Sequence, residues 1–315
     1  MRILLITQRM SPVVVSLFQT HHQLVGIAQD GPKIPISLFQ KVRLTVFSYF
    51  LKLKDKNFQT LPEFCKKNEI SYFFIKDMRD PSFENWIRSR NPELIVVYLM
   101  GHLLKKTIFS IPKYGTINLH PSYLPLYRGP SPEFWMYYNM DLTGGVTVHY
   151  IDEGEDTGDI IFQEKTPIAL GTPLLQLRIH LIDKIGTRLL LIAVDAIEKG
   201  SAPRFPQPKE SPTPRARKLL KEEERTLIDW KSWDVKRVWH LVSGYSGVID
   251  FIGYIDRPPL FYKPFVKKFI ECPVQQEDCG KNNVNTDGSR YITCANGKIV
   301  YQFQFVFPLM EFKVN

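Results

Sequence analysis

Along the first two hundred residues, short aliphatic runs alternate with amphipathic stretches, and that alternation is the strongest structural signal in the chain. Residues 2–7, 23–29, 71–75 and 92–100 are apolar runs of strand length, whereas 11–20 and 81–90 carry helix-type spacing. Strand and helix in turn predict an α/β fold with a doubly wound, mostly parallel sheet. Further on, 114–120 and the run before Tyr150 read as two more strands. Ile160-Ile161-Phe162 and a hairpin-like segment at 164–168 follow, and then one long amphipathic helix over 172–199, closed by Gly200.

Composition then changes. Residues 201–226 are rich in proline and charge and are expected to form a solvated linker. Beyond it, Ile228-Asp229-Trp230 and a helix over 234–243 precede strand-like runs at 249–255, 261–271, 290–294 and 298–306, with Asn296-Gly297 as a hairpin signal. The expected division is a catalytic domain over 1–200, a linker over 201–226 and a small β-rich, barrel-like domain over 227–315. Residues 34–53 are more apolar than a surface loop, yet Lys41, Arg43 and Lys52 make them a poor transmembrane span, so a core or lid helix is expected there.

The chemistry concentrates in 114–161. Because strand side chains alternate, Asn118 and His120 share one face and Leu119 takes the other. Pro121 stops the strand at once, which leaves His120 at a strand end beside an irregular loop, where α/β proteins place ligands and catalysts. Histidine titrates near neutrality. A carboxylate neighbour would hold its cation, and Asp156, in a turn marked by Gly154, Thr157 and Gly158, is the candidate. Amide, imidazole and carboxylate together suit acyl transfer: the amide holds a developing oxyanion, the imidazole moves protons and the carboxylate tunes it. An isolated Asn-x-His is more often a satisfied polar pair than a catalyst, so the surrounding pattern has to decide.

Charge and cysteines add little. A net charge of +9 over 315 residues is compatible with anionic partners, whether nucleic acid, nucleotide or phosphorylated molecule. Cys65, Cys272, Cys279 and Cys294 lack paired metal-binding spacing and read as reduced thiols of a cytoplasmic protein with no bound metal. Thr7-Gln8-Arg9-Met10-Ser11-Pro12 stands where a dinucleotide-binding protein has its glycines, so such a cofactor is not expected.

The string Asn118-x-His120-Pro121-Ser122-x-Leu124-Pro125-x-x-Arg128-Gly129, followed by Thr143-Gly144, Val146-Thr147 and Asp156-Thr157-Gly158, resembles the formyltransferases that use 10-formyltetrahydrofolate. The family includes methionyl-tRNA formyltransferase, glycinamide ribonucleotide formyltransferase and sugar N-formyltransferases, and the resemblance covers about the first two hundred residues well. It implies a Rossmann-like catalytic domain, a catalytic group on Asn118, His120 and Asp156, and a folate pocket lined by Leu99, Met100, Gly101 and Leu103 with Ile151, Asp152 and Glu153. Ser122-Tyr123-Leu124-Pro125 departs mildly from the family's Ser-Leu-Leu-Pro. The second part resembles the small OB-like β-barrel that follows an Ile-Asp-Trp element in methionyl-tRNA formyltransferase.

Two features bear on the acceptor. The Phe134-Trp135 pair after Arg128-Gly129 looks more like the sugar-modifying branch, and the basic loop that in tRNA-acting members follows the second strand is replaced here by Asp30-Gly31-Pro32-Lys33 and an apolar run. The expected acceptor is therefore the amine of a nucleotide-linked amino sugar destined for a polysaccharide, with Arg128 and Trp135 as its contacts. Methionyl-tRNA is the second choice and a non-catalytic folate or nucleotide-sugar binding protein the third. A hydrolase using water as acceptor stays open, as does a homodimer.

Overall fold

A computed structural model describes residues 1–31, 59–246, 248–259 and 262–305. The expected core or lid helix at 34–53 lies outside the described residues.

Seven strands form one sheet in the order β3-β2-β1-β4-β5-β6-β7: β1 Arg2–Thr7, β2 Gln23–Asp30, β3 Ser71–Ile75, β4 Leu94–Val97, β5 Thr116–His120, β6 Thr143–Tyr150 and β7 Ile160–Pro167. The pairs β1/β2, β2/β3, β1/β4 and β4/β5 are parallel, and β5/β6 is antiparallel. Leu4, Leu5, Ile6, Ile95 and Val96 are fully buried. Such unbroken apolar runs are what a parallel sheet covered on both faces requires. Helices α1 Pro12–Phe18, α2 Leu61–Lys67, α3 Pro81–Arg90 and α4 Lys106–Phe109 lie between these strands in the chain. The α3 start follows from its sequence: Asp80 accepts the Ser82 N–H at its N-cap, and Pro81, which has no N–H to leave unpaired, stands at the first turn. Phe83 and Ile87 from α3 then join Leu4, Ile6, Ala28, Ile95 and Val97 in one core cluster.

Of the segment expected as a hairpin at 164–168, residues 164–167 continue the single strand β7. The expected long helix is three pieces, α6 Leu174–Arg178, a π-helical stretch Ile179–Gly186, and α7 Thr187–Glu198.

Backbone proximity divides the chain into two compact units. The first comprises Met1–Pro132, Gly144–Thr166 and Ile179–Ala216, and the second Glu133–Thr143, Pro167–Arg178 and Arg217–Asn315. In the first, the segment read as a solvated linker is anchored: Phe205 pairs with Ile160 as a β-bridge, and Ala216 exchanges backbone bonds with Arg128 and Ser131.

The second unit is built around α5 Pro132–Tyr138 and α8 Val235–Gly244. Fully buried Tyr137 stacks on His240, and Phe134 and Tyr137 meet Tyr245 edge-on. Its antiparallel sheet runs β8-β11-β10-β9, from Tyr262–Glu271, Gly297–Phe305, Arg290–Cys294 and Asn282–Val284. It is the small β domain the sequence calls for. The strand expected at 249–255 is instead a succession of turns, and β9 falls where a connection was expected.

Candidate active site

The β5/β6 register builds the site. Asn118 stands directly opposite His149, and His120 opposite Thr147, so these four side chains share one face of the antiparallel pair. Asn118 Nδ2 lies 3.2 Å from His149 Nε2, and His149 Nδ1 lies 2.8 Å from the Tyr150 carbonyl. A carbonyl only accepts, so Nδ1 carries the proton and, in a neutral ring, Nε2 is left to accept from Asn118. Both histidines are buried.

Asp156 closes the group. Its Oδ2 lies 3.6 Å from His120 Nδ1, its Oδ1 3.6 Å from His149 Nε2, and the Asn118 amide donates to Oδ1 at 3.4 Å. A shorter bond comes from the Gly129 N–H to Oδ2, at 2.9 Å. Burial by itself pushes this carboxyl upward, but the facing His120 and His149 rings and the Gly129 amide overcome that and hold it far below the usual carboxylate range. Asp156 is therefore an anion near neutral pH. Its backbone is left-handed, φ +56°, which costs a non-glycine residue on the order of 1 kcal/mol.

His120 faces oxygen on both sides, since Nε2 points at the Tyr127 carbonyl at 3.3 Å. The loop that carries Tyr127 is tied down residue by residue. Thr147 Oγ1 donates to the Ser122 carbonyl and accepts from the Leu124 N–H, Gln163 Nε2 donates to the Leu124 carbonyl, and Ser122 Oγ donates to Leu126. Gly129, at φ +126°, packs so closely on Ala216 that a Cβ would lie 2.9 Å from its carbonyl oxygen. Only glycine accommodates both the angle and the approach.

The family model described as "Formyl transferase" matches residues 7–182, which contain every member of this cluster. The chain belongs to the formyl transferase family. A methionyl-tRNA formyltransferase of Syntrophus aciditrophicus is 37% identical over 227 residues, 71% of this chain and 70% of that protein. Another from Citrifermentans bemidjiense is 30% identical over 78% of this chain and 76% of the relative. Among solved structures, an N-formyltransferase from Helicobacter canadensis, in complex with folinic acid and dTDP-3-aminofucose, superposes with a TM-score of 0.63 over 96% of this chain and all of its own. Its 17% identity supports the fold alone.

These findings correct the expected acceptor. The formyl transferase relatives that share sequence over most of this chain are methionyl-tRNA formyltransferases, and the sugar-modifying enzymes are alike only in fold. The nucleotide-linked amino sugar is therefore set aside, and with it a role in polysaccharide synthesis. The structure shows why the aromatic signal misled: Trp135 donates its indole N–H to the Arg217 carbonyl and packs against Phe134 and Tyr138 within the second unit. Bulk at 134–135 reports packing, not the acceptor. The apolar run read as replacing a basic loop lies mostly outside the described residues.

The remaining expected contacts fall as follows. Arg128 is buried, and its guanidinium donates to the Gln207 side chain and to the Pro208 and Lys209 carbonyls. Met100 and Ile151 pack partly buried against the core cluster, Leu99 has φ +56°, and the Gly101 N–H is held by Asp30 Oδ2 at 2.7 Å. Leu103 is exposed; Asp152 caps its own turn by accepting from Gly154 and Thr157; Glu153 pairs with Lys106 at the surface. His149 was missed by reading the sequence, although the alternation Val146-Thr147-Val148-His149 puts two polar side chains on one face of a strand.

Among the described residues, one group could hold a metal ion: His21, His22 and Asp195. His22 precedes β2, at the opposite end of that parallel strand from the loops that follow it, and the group is already engaged by Glu198 and the Met1 amine. No helix among the described residues is long and apolar enough to cross a membrane.

Proposed function

We propose that this chain moves a formyl group from 10-formyltetrahydrofolate to the amine of methionyl-tRNA, with Asn118, His120 and Asp156 as the catalytic group. The observation that carries the proposal is the convergence of those three side chains, together with the similarity over 70% of a methionyl-tRNA formyltransferase's length.

10-formyltetrahydrofolate supplies the activated formyl carbon. As the neutral amine of the acceptor attacks that carbon, charge gathers on the formyl oxygen; Asn118 Nδ2, giving up its long 3.4 Å bond to Asp156, and protonated His120, exchanging its 3.3 Å contact with the Tyr127 carbonyl, are the donors that meet it. The Asp156 anion, fixed by the Gly129 N–H, stabilises the charged imidazole. The new bond joins the amine nitrogen to the formyl carbon and the bond to N10 breaks; one amine proton is lost and N10 gains one. His149 keeps Asn118 in register by accepting from its amide. Leu99, Met100, Gly101 and Leu103, with Ile151, Asp152 and Glu153, are proposed to line the donor pocket. A cytoplasmic location belongs to the same proposal, because aminoacylated tRNA is used there.

The test is tetrahydrofolate release from the donor by purified protein with methionyl-tRNA, uncharged tRNA or free methionine. Release with methionyl-tRNA alone, and recovery of formylmethionine after deacylation, is the expected result. Absence of transfer to methionyl-tRNA overturns the acceptor.

A further inference from the structure

The stretch 205–216, whose proline and charge content reads as a solvated linker, turns four side chains inward: Gln207, Ser211, Thr213 and Ala216. Each meets the loop that follows β5 or the turn that carries Asp156. Thr213 Oγ1 accepts the Tyr127 N–H at 2.7 Å, Ser211 Oγ donates to the Pro125 carbonyl at 2.9 Å, and Ala216 exchanges backbone bonds with Arg128 and Ser131. Gln207 is the one that reaches Asp156. Its Nε2 donates to the Asp156 carbonyl at 3.0 Å and to the Gly158 carbonyl at 2.7 Å, while its Oε1 accepts from Arg128 Nε at 3.2 Å and Nη2 at 2.8 Å.

We infer that Gln207 is a positioning residue for catalysis, one that locks the Asp156 turn so that its carboxylate faces His120. The inference rests on the proposed catalytic group. Asp156 is held in a left-handed backbone conformation that it would otherwise leave, and its two neighbours in the lock are the carbonyls of residues 156 and 158. An amide suits the place because it donates to both carbonyls through nitrogen and accepts from a buried guanidinium through oxygen. A carboxylate cannot donate, and an alkyl chain can do neither. By fixing that backbone, Gln207 sets the distance from Asp156 Oδ2 to His120. The titratable and charged groups around the pair are His149 on β6, Arg128 on the loop after β5, and Arg215 on the same strap as Gln207, the last paired with Glu155.

The test is the NMR titration of His120 in the full-length protein, assigned by its loss in His120→Ala, for wild type, Gln207→Met and Gln207→Glu. Melting temperature and kcat and KM for formylation are measured alongside. Gln207→Met keeps length and removes the lock; Gln207→Glu keeps an acceptor for Arg128, removes the donors and adds a negative charge. In Gln207→Met, the His120 midpoint is expected to fall by about half a pH unit or more, because the anion drifts from the ring. Both variants are expected to lose about tenfold or more in kcat with little change in KM. Should Gln207→Met fail to fold, the kcat loss in Gln207→Glu decides. A wild-type midpoint in Gln207→Met, or a kcat near wild type in Gln207→Glu, overturns the inference. The titration needs no acceptor, so a failure to formylate methionyl-tRNA would sink that assignment and leave this test standing.

Discussion

Two buried histidines, one in each compact unit, show what separates the environment proposed for catalysis from a packed one. His120 faces an anion across 3.6 Å and a carbonyl on its other side, and that carboxylate is fixed by a backbone amide. His240 is fully buried, stacks on Tyr137 with ring centres 4.5 Å apart, and accepts the Gly171 N–H through Nδ1. Its Nε2 meets no partner among the described residues. Burial takes the His240 pKa down to about 4, so the ring is a neutral acceptor and never a proton carrier near neutrality. Burial alone leaves His240 neutral; the held carboxylate beside His120 is what the proposed role rests on.

The largest effect that could break this contrast is on turnover. His120→Ala and Asn118→Ala are each expected to lower kcat by 10²-fold or more, roughly the range for loss of a general acid or an oxyanion donor, with melting temperature little changed. Next comes Asp156→Asn, expected to reduce turnover and to move the alkaline limb of kcat/KM, where protonated His120 is lost, to lower pH. The cation on His120 loses its partner, and an unmoved limb would mean that Asp156 does not tune the ring.

Stability against pH sharpens the other side. A group whose folded pKa is depressed contributes stability above its unfolded pKa and loses it as pH falls through the folded value. For His240 the window runs from about 6.5 down to about 4, and the loss across it is about 3 kcal/mol. Asp156 is depressed too, but its window opens only below about 4. Denaturant unfolding at pH 7, 5.5 and 4 should therefore show a loss that His240→Phe removes, although that variant starts about 1–2 kcal/mol lower because the Gly171 N–H is left unpaired. The smallest of these changes is Gly171→Ala. Gly171 has φ +77°, and a Cβ there would meet the Trp239 indole at 2.2 Å. About 1–2 kcal/mol of stability should be lost in the same unfolding assay, with no shift of the kcat/KM profile.

How much of this was legible in the sequence differs between the regions. Strand periodicity put Asn118 and His120 on one face, and β5 and β6 hold them there. His149 was legible by the same rule and was passed over, because a single histidine in an apolar strand reads as core. The strap at 205–216 was not legible at all. Its exposed Pro, Lys and Arg residues dominate the composition, while the side chains that matter are four inward positions bonded to backbone carbonyls and amides that no local pattern announces. The acceptor was misread for a similar reason: Phe134 and Trp135 are large because their own unit needs packing, and local bulk does not reveal what it packs against.

The most direct measurement is the initial rate of tetrahydrofolate release with methionyl-tRNA, taken side by side for wild type, His120→Ala and His240→Phe at pH 7. A rate reduced 10²-fold or more in His120→Ala and kept within severalfold in His240→Phe is the predicted result. A His120→Ala rate close to wild type would contradict the account, because a buried histidine facing the held Asp156 carboxylate would then be as dispensable as one that faces none.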